Sequence, residues 1–378
     1  MNDKKIVVLA VALLMFPQLA QSIYSPALVD IGRVFGVGPQ ALAQLLSVYF
    51  LAFAFGVVVW GRMCDLIGRR PTMLAGLALY AAASLMALSA STFNALLAGQ
   101  GVAAFGAAVG SVVTQTVLRD RFKGAALAQV FSVMGIALAA SPAIGLFTGA
   151  SLVHGFGYPG VPGGLLLLSI GLWFWCLRVL PETRPQHVAS PALFETLWQM
   201  LRDRDIWRST LLVAVFNIGL FSYYSLAPFM FERLGLSAKM FGYSGVVLAL
   251  GSGLGAGLNK RLLQRGLSSA QLIQVAGSLT LVGASFVWLM EDTALFVLAM
   301  VLVVLAFGMA IPNILGSALV NYGDRLGTAG ALFGLLYYLL IGVGLMLAAW
   351  GQTLGGTLMV CAVVAWLLAC IKPPKDQA

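Results

Sequence analysis

Charge is scarce in this chain. Asp, Glu, Lys and Arg make up 9% of its 378 residues, against about 25% in a typical soluble domain, while 60% are hydrophobic and the mean hydropathy is +0.95. A water-soluble globular fold is thereby excluded. Cysteine is scarce as well: Cys64, Cys176, Cys361 and Cys370 lie far apart, with no CxxC pair and no neighbouring histidine, so no metal or redox centre is expected. His154 and His187 fall in an outer loop and in the longest polar stretch, and read as solvated loop residues. An enzyme lacks its parts too: no nucleophile, base and orienting group occur at workable spacing, no phosphate loop is present, and no cofactor is expected. Gly251-Ser252-Gly253-Leu254-Gly255-Ala256 fits a loose dinucleotide-binding pattern, but no strand or downstream acid accompanies it. It reads as the small-residue face of a helix.

What the chain has in quantity is apolar sequence. A helix crossing ~30 Å of hydrocarbon needs about 20 apolar residues, which leaves room for about twelve spans and no sizeable soluble domain. The 43 glycines exceed the usual ~7% and imply close helix packing. Apolar runs bounded by charge or by Gly/Pro turns place helices near 6–30, 41–62, 71–90, 94–118, 124–150 and 162–180, then near 207–231, 240–262, 268–290, 294–320, 328–350 and 352–371. The first run follows Asp3, Lys4 and Lys5 and is too long for a signal-peptide core, so it is read as a retained helix. Pro181 to Arg208 is the longest polar stretch, with an amphipathic piece from Leu193 to Leu201. The expected fold is an all-α membrane protein of twelve transmembrane helices in two six-helix halves, 1–180 and 208–378, joined by a linker over 181–207.

Basic residues orient this arrangement. Of the 22 Lys and Arg residues only Arg33, Arg233 and Lys239 fall in one set of alternate loops; the rest, including Lys372 and Lys375, fall on the side of the termini and linker. That bias predicts that both termini and the linker are cytoplasmic. The formal net charge of +9 therefore reflects membrane topology, and nucleic acid is not an expected partner.

Gly61-Arg62-Met63-Cys64-Asp65-Leu66-Ile67-Gly68-Arg69-Arg70-Pro71 is the densest polar stretch between two long apolar runs. Gly61 and Gly68 suit a tight turn, Asp65 can accept hydrogen bonds from a helix N-terminus or pair with an arginine, and Arg69 and Arg70 suit an anionic leaflet. A weaker repeat, Gly257 to Arg265, follows the eighth expected helix and lacks the aspartate. The spacing G-x-x-x-D-x-x-G-R-R between helices two and three resembles the signature loop of the major facilitator superfamily. That resemblance implies a major facilitator fold in which Gly61, Asp65, Gly68, Arg69 and Arg70 latch the two halves on the cytoplasmic side. Leu66 stands where an arginine often follows the family's aspartate.

Further motifs resemble the drug:proton antiporter branch, and within it the Bcr/CflA and EmrD-like multidrug exporters. In the first helix Gln18-Leu19-Ala20-Gln21-Ser22-Ile23-Tyr24-Ser25-Pro26-Ala27 is similar, and Gln18, Gln21 and Tyr24 lie toward one face. Leu118-Arg119-Asp120 and Pro181-Glu182-Thr183-Arg184 resemble the endings of helices four and six, and Gly327-Thr328-Ala329-Gly330-Ala331-Leu332 the opening of helix eleven. Gln100-Gly101 resembles the end of an arginine-containing motif whose arginine position is here Leu97. Gly135, Ser141-Pro142, Gly145 and Gly149 resemble the antiporter motif, which implies a hinge in helix five at Gly135, Pro142 and Gly145.

The carboxylates avoid the middles of the apolar runs, where a charge costs on the order of 3 kcal/mol or more. Proton coupling is therefore expected near helix ends, at Asp30, Asp120 or Glu232, or in the Asp65 loop. Gln18, Gln21, Tyr24, Tyr49, Phe53, Phe216, Asn217, Phe221, Tyr224, Asn313, Tyr337 and Tyr338 form the expected substrate lining, rich in aromatic faces that suit lipophilic or cationic compounds. The resemblance implies a monomeric, proton-coupled multidrug exporter in the bacterial inner membrane, working by alternating access, with drugs, protons and lipid as partners. A narrow exporter of a sugar or nucleoside is an alternative reading, and a membrane sensor that does not transport is another.

Overall fold

The structure, a computed structural model, describes residues 3–184 and 193–371. His187, part of the expected linker, Lys372 and Lys375 lie outside the described residues. Helices account for the ordered elements: α1 (Asp3–Ser22), α2 (Leu28–Phe35), α3 (Pro39–Ile67), α4 (Arg69–Leu88), α5 (Phe93–Arg121), α6 (Gly124–Phe156) and α7 (Gly160–Val179), followed by a short α8 (Leu193–Arg202). They continue with α9 (Arg204–Arg233), α10 (Ala238–Gln264), α11 (Ser269–Met290), α12 (Phe296–Ser317), α13 (Leu326–Gly351) and α14 (Leu354–Cys370). Among the described residues, 11 helical segments are long and apolar enough to cross a membrane. The apolar α14, at 17 residues, stands at the lower limit for doing so.

The chain divides into two compact units, Met1–Gly38 with Val48–Ser190, and Pro39–Ser47 with Pro191–Ala378. In the first unit α4 packs on α5 and α7, and α1 packs on α5 and α6. Small residues permit these approaches. A β-carbon at Gly106 would lie 2.9 Å from the Gly76 carbonyl oxygen, and one at Gly110 would lie 2.6 Å from that of Leu13. Ala10, Leu14, Leu118, Val130 and Met134 close a buried cluster among α1, α5 and α6. In the second unit α12 packs on α10 and α11, while α9 packs on α13 and α14. A β-carbon at Gly255 would strike the Leu305 carbonyl oxygen, so the 251–256 glycine stretch is the tight helix face expected of it.

Three boundaries differ from those expected. The first helix does not run from 6 to 30: it ends at Ser22, a 3-10 turn containing Pro26 spans Ser25–Ala27, and α2 follows. Asp30 therefore lies in the first turn of α2 instead of closing helix one. Nor is Gly61 to Pro71 a turn, because Arg62 to Ile67 carries no helix breaker and α3 continues through it, leaving Gly68 alone between α3 and α4. Gly61 is thus a helix-packing residue, its missing side chain facing Val112. The repeat behaves alike: α10 runs to Gln264, and the backbone turns at Gly266, where φ is +91°.

Candidate functional site

The chemistry-bearing residues of the first unit converge on Gly68. Its φ of +102° and ψ of 166° lie in a region essentially reserved for glycine, which allows one helix to stop and the next to start with no further residue between them. The first N–H groups of α4 then need acceptors. Glu182, three residues beyond α7, supplies both: Oε1 accepts from the Arg69 amide at 3.0 Å and Oε2 from the Arg70 amide at 3.1 Å. Oε1 also accepts from the Arg184 amide at 2.9 Å. Partial burial pushes the Glu182 carboxyl up, but hydrogen bonds from the Arg69, Arg184, Arg70 and Thr183 amides outweigh it and hold the group below its ordinary value.

Arg69 sits at the centre, with 4% of its side chain exposed. Its Nε donates to Asp120 Oδ2 at 2.9 Å, and its Nη1 donates to the Cys64 carbonyl at 3.0 Å and to Asp65 Oδ1 at 3.3 Å. Asp120 Oδ2 also accepts from the Thr183 hydroxyl at 2.9 Å, and Arg70 Nη2 donates to the Leu177 carbonyl at 2.6 Å. One guanidinium and three carboxylates, Asp65, Asp120 and Glu182, thereby tie the end of α3, the start of α4, the end of α5 and the segment after α7. Sequence reasoning identified these pieces separately, as a loop and two helix endings. It missed Glu182 and Thr183 as site residues, although the Pro-Glu-Thr ending was the available signal.

The remaining residues named from sequence fall as follows. Asp30 is half-buried, while Glu232 is exposed in the last turn of α9. On α1, Gln21 Nε2 donates to Gln18 Oε1 at 2.5 Å and Tyr24 is buried beyond them. The Tyr49 hydroxyl donates to the Pro17 carbonyl at 2.8 Å, and its ring stacks on Phe53 with centroids 5.8 Å apart. These five residues share the first unit.

In the second unit Phe216, Phe221 and Tyr224 are buried on α9, and Asn217 Nδ2 donates within its own helix to Val213. Asn313 Nδ2 donates to Asn259 Oδ1 at 2.6 Å, which joins α12 to α10 and commits that amide to helix pairing. Tyr337 and Tyr338 have ring centroids 4.4 Å apart on α13. A feature unforeseen from sequence is the Tyr322 hydroxyl, which donates to Asp203 Oδ2 at 3.1 Å. Burial, then the Asp203 charge, pushes that phenol up to about 12. In α6 the helix passes unbroken through Pro142; Gly145 abuts the Ser22 side chain, and Gly135 faces open space.

Comparison with known proteins places this geometry. The Major Facilitator Superfamily profile matches residues 10–345. An uncharacterized transporter of Rickettsia bellii is 28% identical, covering 85% of this chain and 84% of that protein. Multidrug resistance protein D of Escherichia coli is 27% identical, covering 97% of this chain and 96% of its own. Among solved structures a D-xylose-proton symporter superposes with a TM-score of 0.75 at 13% identity, over 97% of this chain and 98% of that one, which bears on the fold alone. The all-α, multi-spanning architecture is typical of such transporters. The chain belongs to the Major Facilitator Superfamily, and it is a multi-pass bacterial inner-membrane transporter of small solutes, not an enzyme.

Proposed function

We propose that this transporter is a proton-coupled multidrug efflux protein of the drug:proton antiporter branch, akin to the Bcr/CflA and EmrD-like exporters. The observation that carries the reading is the likeness to Multidrug resistance protein D along 97% of the chain. The residues expected to contact substrate support it. Tyr49, Phe53, Phe216, Phe221, Tyr224, Tyr337 and Tyr338 offer aromatic faces, which attract flat apolar molecules and cations, whereas sugar recognition calls for a dense set of free polar groups. Asn217 and Asn313 spend their amide donors on helix contacts, which leaves less polar capacity for a sugar.

In this reading twelve spans form two six-helix halves, residues 1–180 and 208–378, with the linker and both termini cytoplasmic, and transport proceeds by alternating access. Asp30, Asp120 and Glu232 are the coupling carboxylates, and Gly61, Asp65, Gly68, Arg69 and Arg70 form the latch.

The test is transport by the full chain in proteoliposomes under an imposed pH gradient. A fluorescent lipophilic cation should move against the proton flow, and chemically unrelated drugs should compete with it. Competition confined to one sugar or nucleoside would replace this reading with a narrow metabolite exporter.

A further inference from the structure

One side of α11 is buried against α12 and α14 through Leu272, Ala276, Gly277 and Gly283. The other side carries a shallow groove of about 540 Å³ that starts at Leu267, passes Gln271, Gln274 and Val275, and reaches Leu279 and Val282. Val275 and Val282 are exposed, so this side of a membrane-spanning helix faces lipid. Two glutamines are unusual on such a surface, and their hydrogen bonds tell what they can still bind. Gln271 Oε1 accepts from the Ser268 amide at 2.9 Å and from the Ser268 hydroxyl at 3.3 Å, which closes the N-terminal cap of α11. Its Nε2 is left with no partner among the described residues. Gln274 Nε2 gives one hydrogen to the Ala369 carbonyl on α14 at 3.2 Å, which holds the side chain in place and leaves its second hydrogen. Ser278, one turn further on, donates its hydroxyl to the Gln274 carbonyl at 3.1 Å. The unspent donors therefore lie in the first two turns of α11.

Cations stand just outside them. Lys260, Arg261 and Arg265 close α10, all exposed and with no ion pair among the described residues. The Arg265 amide donates to the Arg261 carbonyl at 3.1 Å and the Leu267 amide to the Leu262 carbonyl at 3.2 Å, so the turn at Gly266 keeps both arginines close to the Leu267 end of the groove. From Gln271 to Val282 the groove follows roughly 16 Å of helix, about half of a ~30 Å hydrocarbon core and hence the depth of one leaflet. Along that depth the chemistry changes in order, from guanidinium to amide to aliphatic side chain. A phospholipid presents the matching order of phosphate, ester carbonyls and alkyl chain. A second membrane-spanning helix would call for a face continuing through both leaflets, and would gain nothing from cations beyond its end.

We propose that this groove binds one anionic phospholipid, with its phosphate on Arg261 and Arg265, its glycerol esters on the Gln271 and Gln274 amides, and one acyl chain along Val275, Leu279 and Val282. Basic residues at the membrane surface select the negative headgroup, and the groove holds the chain. The proposal rests on membership of a membrane transporter family and is independent of what the protein exports.

The test counts lipid retained by the full chain in native mass spectrometry, after purification in a neutral detergent and addition of phosphatidylglycerol or phosphatidylcholine of the same chain length. The wild type should hold one phosphatidylglycerol several-fold more tightly than phosphatidylcholine. Arg261→Gln combined with Arg265→Gln should weaken that binding on the order of tenfold. Lys5→Gln combined with Arg178→Gln, which removes the same charge at other exposed positions, should leave it unchanged. Val275→Trp, which fills the groove and keeps its charge, should abolish it. Equal affinity for the two lipids overturns the proposal, as does equal loss in the two double variants, because lipid would then follow net charge alone. Undiminished binding in Val275→Trp overturns it too, and so does displacement of the lipid by inorganic phosphate, which would make this a site for the headgroup without its chain. Val282→Trp repeats the groove test at a second exposed position and guards against a single misfolded variant.

Discussion

A β-carbon at Gly68 would meet two obstacles at once: the φ of +102° and the Glu182 Oε2 atom, 2.5 Å away. Backbone strain of that kind costs roughly 1–3 kcal/mol. We predict that Gly68→Ala lowers the thermal midpoint of the detergent-solubilised protein by that order of free energy; an unchanged midpoint would remove the turn from the account. Glu182→Gln asks a different question, since it keeps the shape and removes the charge that faces the α4 N-terminus. Because the folded carboxyl lies below its ordinary 4.5, its stabilisation is fully present above that value and is lost as pH falls through the folded value. The wild-type advantage in melting temperature should therefore be largest near neutral pH and vanish in acid, and a constant gap across pH would contradict it. Gly68 was readable from sequence as a residue that turns the chain. Glu182 was readable only as a familiar ending, because its partners lie 113 and 112 positions away.

Helices were the most readable objects, since every long apolar run but the first became a single helix, and the limits of the runs were the least readable. The polar stretch at 61–67 was taken for a loop because it is polar. It is helical because a helix end is set by what accepts its terminal groups, and the acceptor for the first amides of α4 is Glu182, in the segment after α7. The break after Ser22 has a local cause instead, a proline in the 3-10 turn inside a run that composition alone made continuous. Polar side chains inside helices follow a similar rule. Asn313, expected in the substrate lining, donates from its amide to Asn259 on α10 at 2.6 Å. Interhelical hydrogen bonds in membranes average about 0.6 kcal/mol and reach ~1.7 kcal/mol. A double-mutant cycle with Asn259→Ala and Asn313→Ala should return a coupling in that range, measured by unfolding in mixed micelles. Zero coupling would free Asn313 for a substrate role.

In the proposed proton-coupled mechanism a proton on one residue must alter the packing of many, and in the Arg69 cluster one carboxylate touches several elements at once. Arg69 is almost wholly buried and faces Asp120 at 2.9 Å and Asp65 at 3.3 Å, with the Asp65 side chain 38% exposed against 19% for Asp120. The less solvated Asp120 is thus the closer counter-charge, and its neutralisation leaves the guanidinium facing a more distant carboxylate that water already screens. The same oxygen of Asp120 holds Thr183, so the end of α5 would loosen from Arg69 and from the segment after α7 together, while Glu182 keeps that segment on the start of α4. Asp30, the other proposed coupling carboxylate, lies half-buried in the first turn of α2. We therefore predict that Asp120→Asn and Asp30→Asn both lower pH-gradient-driven efflux in proteoliposomes. The loss should be on the order of tenfold, about 1.4 kcal/mol in barrier. They should differ in kind: Asp120→Asn should also lower the melting temperature, since it weakens the hydrogen bonds around Arg69, whereas Asp30→Asn should not. If both variants keep the wild-type ratio of protons to drug, coupling belongs to neither, and the Arg69 cluster is a structural clasp alone.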